Sequence, residues 1–346
     1  MTHLDRVLTG LPVGALLLGA AAANETVQID EWEVPYYMDQ KGAVYDSPPD
    51  EKQQETRPRD PSVDSQGRVW FAGQIGNYIA VLDPLSGAFR RYELSAGAHP
   101  HSLVIDAQDN VWYSGNLDSH IGKLDPTTGQ VWKFPTEDLG AGDPHTMAWD
   151  EHGDLWFTAQ HSGCIGRLAV ATGEIEIIKI REPGARVYGI KLDSDHAPWV
   201  TLFGTNKILR VDPRTMQVAE FELPWGARPR RIALTSDDIV WYTDYAQGQL
   251  GRLDPTTGDG RVWESPGGST AIPYGIEVDD QDRVWYVESP LGRSRLVGFD
   301  TDTETFFSVT PFPSGGRAVR HMYFHQPTRS IWMGTDANTI ARAHLP

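Results

Sequence analysis

With 346 residues, 40% of them hydrophobic, the chain can bury a substantial core and is longer than the usual single compact domain of about 100–200 residues. Forty-seven acidic against 30 basic residues give a formal charge of −17, which repels phosphate backbones at long range and argues against a nucleic-acid partner. The single cysteine, Cys164, excludes an internal disulfide, so packing and strand pairing must hold the fold.

In chain order, MTHLDRVLTGLPVGALLLGAAAANET places Arg6 before an apolar stretch, Leu11 to Leu18, and Ala21, Ala22 and Ala23 where a cleavage site is expected. Residues 1–23 read as a signal peptide, which implies a periplasmic or secreted protein. That stretch is shorter than the ~20 residues that span a bilayer, and no later segment is long enough, so no transmembrane span is expected in the mature chain. Residues 24–346 read as one domain. Within it, VQIDEWEVP has the pattern of a strand, and residues 36–56 read as an inserted loop.

The rest of the chain repeats. GRVWFAG, DNVWYSG, GDLWFTA, HAPWVTL, DIVWYTD, DRVWYVE and RSIWMGT set Trp70, Trp112, Trp156, Trp199, Trp241, Trp285 and Trp332 at spacings of 42, 44, 43, 42, 44 and 47 residues. This period supplies four short strands per propeller blade. The runs HSLVID, NVWYSG, SHIGKLD and QVWKFP show the four, with Asp125-Pro126-Thr127-Thr128-Gly129 as a turn. The last repeat ends after ANTIARAHL, its third strand, and VQIDEWEVP resembles the fourth strands elsewhere. The expected fold is all-β: a seven-bladed propeller of four-stranded blades, its ring closed by an N-terminal strand that completes the last blade and covers an open edge.

Register then locates a site. Eleven residues before each tryptophan stand Arg59, His101, His145, Tyr188, Arg230, Tyr274 and His321, all polar or aromatic. At the start of an innermost strand they face one mouth of the central channel, and proline precedes five of them, where a missing donor suits a strand's first residue. Antiparallel pairing sets each near the residue three after the tryptophan: Gly73, Gly115, Ala159, Leu202, Asp244, Glu288 and Thr335. Two places before the ring, on the same side, lie Arg57, His99, Asp143, Arg186, Arg228, Ile272 and Val319. With Arg320 nearby, this makes a cationic mouth on an acidic protein, suited to an anionic or carbonyl-rich small molecule. The alternative is a water-filled channel whose arginines pair with Asp143, Asp244 and Glu288.

DPTTGQVWKFPTED, NVWYSGNLDSHIGKLDP and GDLWFTAQHSGCIGRL resemble the repeats of the virginiamycin B lyase (streptogramin lyase) propeller family, over about residues 57 to 342. The resemblance implies a lyase that opens an antibiotic lactone by elimination, using two histidines, two acidic residues and magnesium. His101 and His145 match the histidines and Asp143 the first acid, while Ala159 occupies the second acid's place. One carboxylate among cations holds magnesium poorly. Asp143, Glu288 and Asp244 could bind a metal across the channel, or arginine could replace it as electrophile, with His145, oriented by Asp143, as base and His101 as acid or oxyanion donor. Two other classes stand beside a lyase: a non-catalytic secreted small-molecule binding or sensing propeller, and an interaction platform. A monomer is expected. Calcium-loop-like fragments at Asp106, Asp150 and Asp279 sit at hairpin turns and read as turn chemistry.

Overall fold

Each tryptophan motif forms the second strand of a four-stranded antiparallel sheet, and seven such sheets make the ring. The computed structural model describes residues 25–35 and 57–346, with two short paired strands at Tyr37–Met38 and Val44–Tyr45. The expected signal peptide, and most of the expected inserted loop, lie outside the described residues. Blade 3 is representative, running outward through Pro144–Trp149, Leu155–Ala159, Cys164–Ala169 and Glu174–Lys179. The second strand is buried along its length, whereas the fourth alternates exposed with half-buried residues because only one of its faces meets a neighbouring blade.

Closure follows the expected route. Gln28–Glu33 pairs antiparallel with Thr339–His344, completing blade 7 around Val319–His325 and Ser330–Thr335. Asp30 ties the seam by accepting from Arg342 at 2.7 Å and contacting His344 Nε2 at 2.8 Å, which holds its carboxyl well below the usual range. Among the described residues, no helix is long and apolar enough to cross a membrane.

The core lies between blades. Trp70 clusters with Leu103 and Tyr113 of the next blade, and Trp112 with Met147 and Phe157 of the one after. In five blades the indole Nε1–H donates to an aspartate six residues earlier: Asp64, Asp106, Asp150, Asp193 and Asp279, at 2.8–3.0 Å. The same carboxylates accept backbone N–H groups two and four residues ahead, as Asp106 does from Gln108 and Asn110. The calcium-like fragments are therefore turns that also anchor the tryptophan. The glycine of the third-strand motif has an equally local cause: a Cβ on Gly122 would stand 2.1 Å from the Tyr113 ring.

Asp193, like Asp64 and Asp279, also accepts from an arginine, here Arg210 Nε at 2.7 Å. Asp193→Ala leaves the buried Trp199 indole and two N–H groups without partners, and should lower unfolding free energy by about 2–4 kcal/mol in urea denaturation.

Candidate functional site

The mouth is built by a backbone irregularity. In blade 3, Pro144 pairs with Ala159, but the next pair is Met147 with Phe157, so two residues, His145 and Thr146, oppose one. The same shift occurs in the first strands of blades 1, 2, 4, 5 and 7. A bulge re-aims side chains and frees backbone groups. In blades 2 to 5 a hydroxyl two residues after the tryptophan satisfies them, whereas blades 1 and 7 have Ala72 and Gly334 there. Thr158 Oγ1 accepts from Thr146 N at 3.1 Å and donates to the carbonyl of Tyr188 in the next blade at 2.7 Å. Ser114, Thr201 and Thr243 do the same toward His145, Arg230 and Tyr274. His145, Tyr188, Arg230 and Tyr274 are thus each fixed by the blade before them.

Two expectations are corrected by this register. The residue opposite the position three after the tryptophan is the one preceding the ring, Pro144 or Pro229, so His145 does not face Ala159 and Arg230 does not face Asp244. In blade 7 the first hairpin is one residue longer: Trp332 pairs with Tyr323, and Val319 with Thr335. Arg320 therefore holds the ring position and His321 falls one layer deeper.

The ring side chains stack rather than stand apart. His101 and His145 have centroids 3.7 Å apart, and His145 and Tyr188 4.3 Å. Tyr188 hydrogen-bonds Tyr274 hydroxyl to hydroxyl. Arg230 lies over the rings of Tyr274, Tyr245, Phe203 and Tyr188, at 3.8, 4.2, 4.5 and 5.4 Å. Arg59 donates to Asp336 at 3.0 Å and to Gln74 at 3.0 Å, and Arg320 pairs with the same aspartate. Burial pushes both histidines well below their ordinary value; the neighbouring His145 and Arg59 add to this for His101, and Arg231 and Arg230 for His145. Burial alone would raise Tyr188, but Arg230, Arg231 and the Tyr274 hydrogen bond bring it below its usual value, while Tyr274 is raised.

Below the ring, Arg231 crosses the channel. From blade 5, its Nε donates to the Arg320 carbonyl in blade 7 and one Nη to Thr146 Oγ1 in blade 3, both at 2.9 Å. Its other Nη is 3.8 Å from Asp60 in blade 1. Sequence reasoning missed Arg231, Asp60 and the rim residues Phe203, Tyr245 and Asp336. The rim residues share one signal, the position four after the tryptophan, directly above the ring.

The outer positions are arranged less tightly. Arg57 and Arg186 are exposed, and His99 and Arg228 half-buried. His99 Nδ1 contacts the Gln74 carbonyl at 3.2 Å, and an Arg228 Nη donates to the Ala227 carbonyl at 2.7 Å. The three carboxylates expected to meet are each engaged within their own blade. Asp143 accepts from the N–H groups of His161 and Ser162 at 2.6 and 2.9 Å, so it does not orient His145, whose Nδ1 contacts Thr146 Oγ1 at 2.9 Å. Asp244 accepts from the N–H groups of Arg228, Ala246 and Gln247, and Glu288 from Gly267 N–H and Arg295.

A family model described as the Virginiamycin B lyase family matches residues 51–343. The chain belongs to that family. Solved structures of family-like propellers agree in fold: a streptogramin B lyase, at 23% identity and TM-score 0.77, covers 92% of this chain and 98% of its own. A catalytically inactive variant of virginiamycin B lyase from Staphylococcus aureus with quinupristin, at 22% identity and TM-score 0.76, covers 92% and 100%. The extracellular domain of a one-component system from B. thetaiotaomicron matches at 16% identity and TM-score 0.66, over 93% of this chain and 43% of that one. No curated protein matches the chain.

The magnesium that the Virginiamycin B lyase resemblance implies does not fit these residues. Magnesium requires several oxygen ligands in near-octahedral array. Here Ala159 has none, Asp143, Asp244 and Glu288 are engaged by N–H groups and Arg295, and the mouth carries Arg59, Arg230 and Arg320. Among the described residues, no group of three or more histidine, cysteine, aspartate or glutamate side chains is placed to hold a metal.

The histidine pair sets a pH dependence. Their folded-state pKa lies well below the unfolded value of about 6.5, so below that pH the unfolded chain binds more protons. Stability should be full above about pH 6.5 and fall toward pH 5, by up to about 1.4 kcal/mol per pH unit for each histidine. Urea midpoints at pH 7 and 5.5 should therefore converge in the His101→Gln, His145→Gln double variant; an unchanged pH dependence contradicts the assignment.

Proposed function

We propose that this family member takes a small anionic, carbonyl-bearing molecule at the ring mouth, acting as a secreted or periplasmic monomer. Arg230 carries the reading. Among the described residues no carboxylate pairs with it, and four aromatic faces hold it. A guanidinium stacked on rings has donors for a carboxylate or an enolate oxygen beyond the one that Arg230 gives to Tyr188. Arg59 and Arg320 share one aspartate, Asp336, and Asp60 is 3.8 Å from Arg231, so two carboxylates stand among four arginines and do not balance them. Arg186 and Arg228, farther out, widen the cationic funnel.

The test is calorimetric titration with simple aromatic and aliphatic carboxylates, lactones, and quinupristin, the molecule named with the Staphylococcus aureus relative. Arg230→Leu should weaken binding by roughly 10- to 100-fold, as expected for a lost hydrogen bond to a charged group, and chelator should leave binding unchanged. Arg186→Ala with Arg228→Ala should slow association. Unchanged affinity for every ligand in Arg230→Leu defeats the proposal.

Elimination is a second reading, favoured by the hydroxyl contact of Tyr188 with Tyr274 between Arg230 and Arg231. The Tyr188 oxygen, as phenolate, accepts the proton from the carbon beside the ligand carbonyl. That electron pair forms the new double bond as the carbon–oxygen bond breaks, and the leaving oxygen takes a proton from Tyr274, which Tyr188 replaces. Arg230 stabilises the enolate; His145 and His101, held neutral, line the same wall and contribute hydrogen bonds. The product keeps the substrate's mass. Tyr188→Phe should reduce turnover at least 100-fold while His145→Ala reduces it less, followed by mass spectrometry of lactone and depsipeptide products; the reverse order assigns the base to His145.

A further inference from the structure

Below the Arg231 bar the channel opens into a cavity of about 460 Å³ at the opposite face. Its cause is readable from the layers. Where Arg231 and His321 occupy the second layer, the third holds Ser62, Val104 and Ala148, three short side chains on adjacent blades, and their size leaves the space. The volume lies within the ~300–1,000 Å³ of ordinary ligand pockets.

We propose that this cavity is a second binding site, for an uncharged and mainly apolar molecule that carries a hydroxyl group placed to hydrogen-bond the imidazole of His321. The site does not depend on the reading of the ring mouth, since Arg231 stands between the two.

Three observations define the ligand. The walls are apolar, formed by Leu103, Ile105, Met147, Trp149 and Tyr323, which favours a flat hydrocarbon body. His321 lines the cavity, and its Nδ1 is buried with no hydrogen-bond partner among the described residues. The imidazole gives the wall a polar group that a ligand hydroxyl can meet. A hydroxyl both donates and accepts, so it suits either imidazole tautomer.

The charged groups at this mouth are already engaged. Lys191 pairs with Glu277 across the channel at 2.7 Å, Asp106 is taken by Trp112 and Asn110, and Asp109 accepts from Ser65. Burial, with Arg231 and Lys191 nearby, holds His321 neutral. An anionic ligand would find Lys191 already paired and would lose its hydration.

The experiment compares 2-naphthol, naphthalene and 2-naphthoate by titration calorimetry and ligand fluorescence on the whole protein. The proposal predicts saturable one-to-one binding of 2-naphthol, roughly fivefold or more tighter than naphthalene, as one added neutral hydrogen bond gives, with 2-naphthoate weaker than 2-naphthol. His321→Phe should bring 2-naphthol and naphthalene to near-equal affinity, Ala148→Trp should abolish both by filling the space, and Arg230→Leu should change neither. Absence of saturable 2-naphthol binding by folded wild-type protein, equal affinity of wild type for naphthol and naphthalene, preference for naphthoate, or a preference that survives His321→Phe each overturns it. The ligand series on wild-type protein decides the matter even where a variant does not fold. Loss of carboxylate binding in Arg230→Leu with naphthol binding intact separates this site from the ring mouth.

Discussion

The hydroxyl bridge between blades is the contact on which the mouth depends. A one-residue bulge at the start of an inner strand frees a backbone N–H in a buried place, and a buried N–H must find a partner. Thr158 and its counterparts meet that need and, with the same oxygen, bind the carbonyl of the next ring residue. One side chain therefore does two jobs: it permits the bulge that turns His145 inward, and it sets the position of Tyr188. Errors in one blade are passed to the next, which is why the ring residues can stack at 3.7–4.3 Å instead of moving independently.

Arg231 applies the same logic across the channel instead of around it. A buried guanidinium is costly unless its donors are met, and this one reaches a carbonyl, a hydroxyl and, more distantly, a carboxylate on three other blades. The arrangement is tolerable because the partners are polar backbone and hydroxyl groups that the bulges have already brought inward. It also makes the channel two sites. The field of Arg231 reaches both, opposing protonation of His145 on one side and His321 on the other.

The architecture was legible in the sequence because blade formation is local. The tryptophan period, the turn aspartates and the missing fourth strand are short-range signals, and blade count, closure and the inward side of the first strand follow from them. The convergence of Arg59, His101, His145, Tyr188, Arg230 and Tyr274 was legible for the same reason. What failed was register by a single residue. Straight antiparallel pairing set His145 against Ala159, and only the bulge shows that Pro144 occupies that place. Counting back from Trp332 selected His321 because nothing in RSIWMGT discloses that its hairpin is one residue longer. Carboxylates were hardest to place. Asp143, Asp244 and Glu288 sit at the expected height, but loop N–H groups and Arg295 compete for them, and loop conformation is not encoded in the repeat spacing.

The difference between this mouth and the magnesium arrangement implied by resemblance is one of electrostatics more than of shape. A divalent cation needs anionic oxygens around it, and those same oxygens repel a carboxylate ligand until the metal is in place. Here positive charge is covalently part of the chain, and Arg230 is desolvated against aromatic faces, where its attraction for an anion is less screened than in water. The neutral histidine pair fits that environment, because two imidazolium rings 3.7 Å apart beside four arginines would repel one another and their surroundings. An arginine mouth and neutral stacked histidines are thus two consequences of a single choice, to carry the positive charge on side chains. Within this fold family that choice exchanges a charge that must be loaded for one that is permanent.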